Sequence, residues 1–139
     1  MPEKAGTLIP ADLQGRSRVA EWCFSALNTV ERPLLENQLT DKFGDERSAE
    51  RRKQMVKEAG RWFDGLECRL EGREWIACPE FTVADILLAT VLREICKTDL
   101  IDPYPRLKGY YARALACPAW HRTLVSYAER LGVCIADIQ

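Results

Sequence analysis

Apolar residues recur along this chain at spacings of three and four, and no segment alternates in the manner of a strand. The first helical pattern opens at Asp12, a good N-cap, and runs to about Leu39 through Val19, Trp22, Cys23, Ala26, Leu27, Val30 and Leu34. Pro33 lies inside it and is expected to kink or split the helix. Residues 40–46, with Gly44 and Asp45, read as a loop. A second helix is predicted from about Glu46 to Leu70, with Met55, Val56, Ala59, Trp62, Phe63, Leu66 and Leu70 on one face. Its first half carries Glu50, Arg51, Arg52 and Lys53. The interleaved Asp45, Glu46 and Glu58 make this a solvated face rather than an anion patch.

The strongest local signal is Phe81-Thr82-Val83-Ala84-Asp85-Ile86. Thr82 can cap a helix by accepting from the backbone N–H of Asp85, and the Asp85 carboxylate can reach back to the N–H of Thr82. Phe81 and Ile86 occupy the two positions of a hydrophobic staple. The helix that follows, Val83 to Ile95, is apolar nearly all round, so it belongs at the centre of a bundle. Asp85 therefore reads as a structural cap rather than a catalytic carboxylate. After a loop ending at Asp102-Pro103, two short helices are expected over about 105–116 and 118–131. Pro118 suits the first turn of the second, and Gly132 its stop. The apolar tail Val133–Gln139 needs a surface to lie on and is expected to cover part of an exposed face. The fold class is all-α, with five to six helices around Val83–Ile95.

Length, charge and cysteine usage narrow the function. A chain of 139 residues is read as one domain able to bury a core. A net charge of −1 lacks the basic footprint of a nucleic-acid binder. No apolar run approaches the roughly 18 residues of a membrane span, and the start, Met1-Pro2-Glu3-Lys4, shows no signal-peptide core. The six cysteines form no Cys-x-x-Cys pair and His121 is the sole histidine, so no metal site is expected. Reduced, mostly buried thiols fit better than disulfides. No Ser/His/Asp order, paired carboxylates or phosphate loop suggests an active site within the chain.

The 81–86 motif resembles the capping box and staple in the C-terminal helical domain of cytosolic glutathione transferases. Gly6-Thr7-Leu8-Ile9-Pro10-Ala11-Asp12 is similar to the linker entering that domain, and Arg18-Val19-Ala20-Glu21-Trp22 to the start of its first helix. Tyr104–Arg113 and Cys117-Pro118-Ala119-Trp120 resemble two later helices and the proline between them. In place of the family's glycine-rich turn before the capping box stands Ala77-Cys78-Pro79-Glu80. The resemblance implies a linker over residues 1–11 and a helical domain over 12–139.

It also implies a role. In the family a thioredoxin-like domain activates the thiol of glutathione, and the helical domain walls the electrophile pocket. This chain carries no β-α-β pattern, so no catalytic residue is expected in it and the chain alone is expected to be inactive and to bind no cofactor. Glutathione would be the co-substrate of the full-length enzyme, a cytoplasmic dimer of detoxification acting on a small hydrophobic electrophile. The family places the pocket wall on the first helix, which points to Phe24, Asn28, Glu31 and Arg32 as substrate-binding residues. The expected partners are the thioredoxin-like domain and a second copy of the chain. The alternative is a protein-binding adaptor of the kind found in translation-factor and synthetase assemblies.

Overall fold

The computed structural model describes residues 8–31, 46–95 and 98–138. Among these described residues six α-helices follow one another: α1 Leu13–Ser25, α2 Glu46–Arg69, α3 Val83–Leu92, α4 Pro105–Leu115, α5 Pro118–Leu131 and α6 Ile135–Ile138. A π turn over Ala26–Val30 extends α1, and a short 3-10 turn over Arg93–Ile95 extends α3. There is no strand among the described residues. The fold is all-α, as the helix-spaced pattern predicts. Pro33 and residues 40–45 of the predicted 40–46 loop lie outside the described residues.

Helix α3 is the centre. Ala84, Leu88, Val91 and Leu92 are buried, and α1, the π turn and α4 all pack on it. Helix α2 brings Ala59, Phe63, Leu66 and Leu70 to the same core and packs against α4. The recurrence of these four at three and four residues puts them on one stripe, while Glu50 to Lys53 stay in solvent. Helix α6, formed by the tail, packs back on α5. Gly132 ends α5 in the left-handed conformation, at φ 65°, which glycine adopts without a Cβ penalty. Gly15 is required for a different reason. A Cβ there would lie 2.6 Å from Pro10 Cβ, so only glycine lets the entering segment lie against α1.

The start of α3 is the most connected point of the core. Asp85 is fully buried at 0 % exposure. Its Oδ2 accepts from the Thr82 backbone N–H at 2.8 Å and from the Thr82 hydroxyl at 3.0 Å. Its Oδ1 accepts from the Ile76 N–H at 2.9 Å and from the Tyr110 hydroxyl at 3.0 Å. Both arms of the capping box are in place. Beyond its place in the box, the Thr82 hydroxyl also donates to the carboxylate, and that is its better-formed bond. Phe81 packs edge-on against Trp75 with centroids 4.8 Å apart, and Ile86 is 38 % exposed.

Two further contacts lock the bundle. Glu67 on α2 caps the start of α4 across the core, accepting from the N–H groups of Arg106 at 3.0 Å and Leu107 at 2.9 Å. These are orphan donors of a first turn that begins at Pro105. Phe63 and Tyr104 meet edge-on at 5.5 Å, and the Tyr104 hydroxyl donates to the Gly60 carbonyl at 3.4 Å.

Replacing Asp85 with Ala strands four donors in the core, so the expected loss is roughly 3 kcal/mol, well above the ~1 kcal/mol of an exposed cap. Tyr110→Phe removes one donor and should cost about 1 kcal/mol. Urea denaturation of both variants measures the difference, and equal losses would show that Asp85 acts as an ordinary cap.

Candidate functional site

Two features of the α1 side of the molecule offer surface to a ligand or partner. The first is the outward face of α1. Val19, Cys23 and Ala26 turn toward the core, and Trp22 stands edge-on to Trp62 at 6.5 Å between centroids. The opposite face is left to solvent. Phe24 is 66 % exposed, Leu27 40 %, and Asn28 is exposed beside them.

The π turn shapes this face. The Glu31 N–H bonds to the Ala26 carbonyl, five residues back rather than four. Each such turn accommodates one residue more than an α turn, so the residues beyond it rotate relative to α1. Phe24, Leu27 and Asn28 remain in solvent, whereas Glu31 is half-buried. An unbroken α-helix would have stacked Glu31 in line with Phe24 and Asn28. Phe24 and Asn28 are thus both exposed, and Glu31, at the end of the π turn, is half-buried. Arg32 lies outside the described residues.

The second feature is a cleft of about 470 Å³ between the start of α1 and the segment leading into α3, lined by Asp12, Gly15, Arg18, Cys78, Glu80 and Thr82 among others. Asp12 is committed to capping α1, where Oδ1 accepts from the Gly15 N–H at 2.7 Å. Leu8 is tied to the other side by its carbonyl, which accepts from the Val83 N–H at 3.0 Å. Behind the cleft Arg69 donates to the carbonyls of Ile76 at 3.0 Å and Ala77 at 3.4 Å, with its guanidinium 5.6 Å from the Trp22 ring centroid. Burial, and then the charges of Arg73 and Arg18, hold the Arg69 guanidinium below its ordinary pKa. The hydrophobic pattern gave no sign of this cleft. Its residues come from two stretches far apart in sequence, and Arg18 and Arg69 carry no periodic signature.

The chemistry at hand is binding chemistry. Burial, and then the charge of Asp85, push the Cys23 thiol up, which disfavours a thiolate nucleophile. The Tyr110 phenol is also pushed up, first by burial and then by the Asp85 charge and the hydrogen bond to it, so it stays protonated and donates. Among the described residues no cluster of His, Cys, Asp and Glu could hold a metal ion, and no helix is long and apolar enough to cross a membrane.

This architecture is a known one. The profile of the glutathione S-transferase C-terminal domain matches residues 33–121. The chain belongs to that family. A glutathione transferase family member from Pseudomonas fluorescens pf-5, solved with two glutathione molecules bound, superposes with a TM-score of 0.74 at 26 % identity, over 84 % of this chain and 55 % of that one. A glutathione transferase from Burkholderia graminis, with two glutathione molecules bound per subunit, gives a TM-score of 0.73 at 28 % identity, over 86 % of this chain and 53 % of that one. The GST-like domain of elongation factor 1-gamma from Saccharomyces cerevisiae shares the fold, with a TM-score of 0.72 at 16 % identity, over 80 % of this chain and 52 % of that one. The chain therefore spans about half the length of the transferases it resembles. No curated protein matches it.

The raised Tyr110 pKa has a consequence for alkaline stability. A phenol whose folded pKa lies above its unfolded value contributes stability below the unfolded pKa, about 10, and loses it as pH rises beyond. Stability should fall above pH ~10, and Tyr110→Phe should flatten that fall. Urea midpoints measured between pH 8 and 11 check this, and parallel profiles for the two proteins would disprove it.

Proposed function

We propose that this chain is the helical half of a glutathione transferase. Residues 1–11 are the linker and 12–139 the helical domain, joined in the working enzyme to a thioredoxin-like domain that holds glutathione. Family membership over residues 33–121 carries this reading, and the glutathione-bound relatives of twice the length support it. The outward face of α1, with Phe24 and Asn28, is the wall of the electrophile pocket. Phe24 supplies apolar area to a small hydrophobic electrophile and Asn28 an amide that can orient it. Glu31, at the end of the π turn, is proposed to belong to the same wall, and Arg32, which lies outside the described residues, is proposed with it on the family resemblance alone. The enzyme works as a cytoplasmic homodimer in detoxification, and the helical domain supports the two-fold assembly. No residue of this chain activates the thiol.

Joining the chain to a thioredoxin-like domain from a transferase of this family tests the proposal. The joined protein should conjugate glutathione to 1-chloro-2,4-dinitrobenzene, while the chain alone should neither turn over nor bind glutathione in calorimetry. Micromolar binding to the chain alone would overturn the placement of the glutathione site. In the joined protein Phe24→Ala should raise KM for the electrophile about tenfold and leave KM for glutathione unchanged. Because Phe24 is exposed, the same change should leave stability within about 0.5 kcal/mol.

A second reading, the protein-binding adaptor, draws on the likeness in fold to the elongation factor 1-gamma domain. Exposed Leu27, Tyr127, Leu131 and Val133 would then serve a protein partner. A chain that stays monomeric across a wide concentration range in sedimentation and binds no hydrophobic dye would favour the adaptor over the dimer-supporting transferase half.

A further inference from the structure

We propose that Pro10 and Gly15 are positioning residues of the two-domain enzyme: they clamp segment 8–12 onto the helical domain as a rigid mount, from which the thioredoxin-like domain is presented to the wall on α1. The role of the mount rests on the transferase reading, whereas the mount itself rests on contacts within this chain.

The segment is held at both ends. At one end the Leu8 carbonyl accepts from the Val83 N–H at 3.0 Å. Val83 is the first residue of α3, and its N–H is one of the donors that a helix start cannot satisfy from within. The entering segment thus completes the capping of the core helix, next to the buried Thr82 and Asp85. At the other end the Asp12 side chain caps α1 at the Gly15 N–H, 2.7 Å away, and the Asp12 carbonyl accepts from the Arg16 N–H at 3.1 Å. Between the two anchors the Pro10 carbonyl accepts from Arg16 Nε at 3.1 Å. Ile9, Pro10 and Ala11 line the cleft along this stretch.

Pro10 and Gly15 make the mount stiff. The proline ring fixes φ and carries no N–H that would need a partner. It lies so close to α1 that a Cβ at residue 15 would stand 2.6 Å from Pro10 Cβ, 2.9 Å from Pro10 Cγ and 2.7 Å from Asp12 Oδ2. A tether that only joins two domains needs no such fit. A tether free over its whole length lets the domain before it swing, which dilutes one half-site with respect to the other. Fixing residues 8–12 shortens the free part and limits the directions from which glutathione can approach Phe24 and Asn28. Transfer between a thiol held by one domain and an electrophile held by the other depends steeply on that placement.

Amide hydrogen exchange on the full chain tests the mount, and conjugation kinetics of the joined protein test its role. In Gly15→Ala the Val83 amide should exchange about tenfold faster, while the Leu88 and Val91 amides further along α3 keep their rates. Arg16→Ala, at an exposed side chain, should speed Val83 in the same direction by a smaller factor, and it decides the matter if Gly15→Ala does not fold. In the joined protein Gly15→Ala should lower kcat about tenfold or more and leave KM for glutathione unchanged. Adding Pro10→Gly should restore part of that loss, because the proline ring is what the new methyl meets. Val83 protection that is unchanged in both variants, or that is lost together with Leu88 and Val91, would overturn the mount. An unchanged kcat in spite of a released Val83 amide would overturn the positioning role. A joined protein that is inactive with Gly15 in place would sink the transferase reading and the positioning role with it, while the exchange rates still decide whether the mount exists.

Discussion

The buried carboxylate of Asp85 is the constraint on which the rest depends. It joins three parts of the chain: the Ile76 backbone before α3, Thr82 at its start and, 25 residues on, Tyr110 in α4. A carboxylate taken fully out of water is unfavourable unless its oxygens are bonded, and here four donors meet it. The requirement runs both ways. Ile76 and Tyr110 are as deeply buried as Asp85, and their donors have no water to turn to. Helix α3 can therefore begin at only one place and in only one orientation, and α4 is held to it.

The segment between α2 and α3 is pinned from its other side by Arg69. The guanidinium takes the carbonyls of Ile76 and Ala77, while Asp85 takes the N–H of Ile76, so one short stretch is held by a cation and an anion at once. Because Arg69 also lies on Trp22, the same arrangement fixes α1 against this stretch. The wall of the cleft is made of these elements. Its shape is a by-product of interactions that the bundle needs anyway, and Arg18 is part of its lining.

The outer face of α1 comes from a different device. The core side of this helix is occupied by Val19, Cys23 and Ala26, which seat it on α3. The wide turn at Ala26–Val30 then changes which residues continue the exposed face. Phe24 and Asn28 are exposed, and Glu31 is half-buried. Phe24 is left 66 % exposed on this well-seated helix. That exposed face and the cleft lie on the same helix, one near its end and one at its start.

Much of this was written in the sequence. Three- and four-residue spacing of Ala59, Phe63, Leu66 and Leu70, the apolar run from Val83 and the Thr82–Asp85 spacing each state a helix, because burial of one stripe and capping of one end are local requirements. Family membership followed from the same local motifs in order. Other features needed the tertiary structure. Tyr110 and Ile76 reach Asp85 across 25 and 9 residues, and Glu67 caps α4 from 39 residues away, so no spacing rule points to them. Nothing in Ala26–Val30 marks a π turn, so helical spacing alone put Glu31 in line with Phe24. The cleft, with Arg18 and Cys78 brought to one place, exists only because the bundle closes. Periodicity tells which side of a helix is dry, and only packing decides which distant side chains meet there.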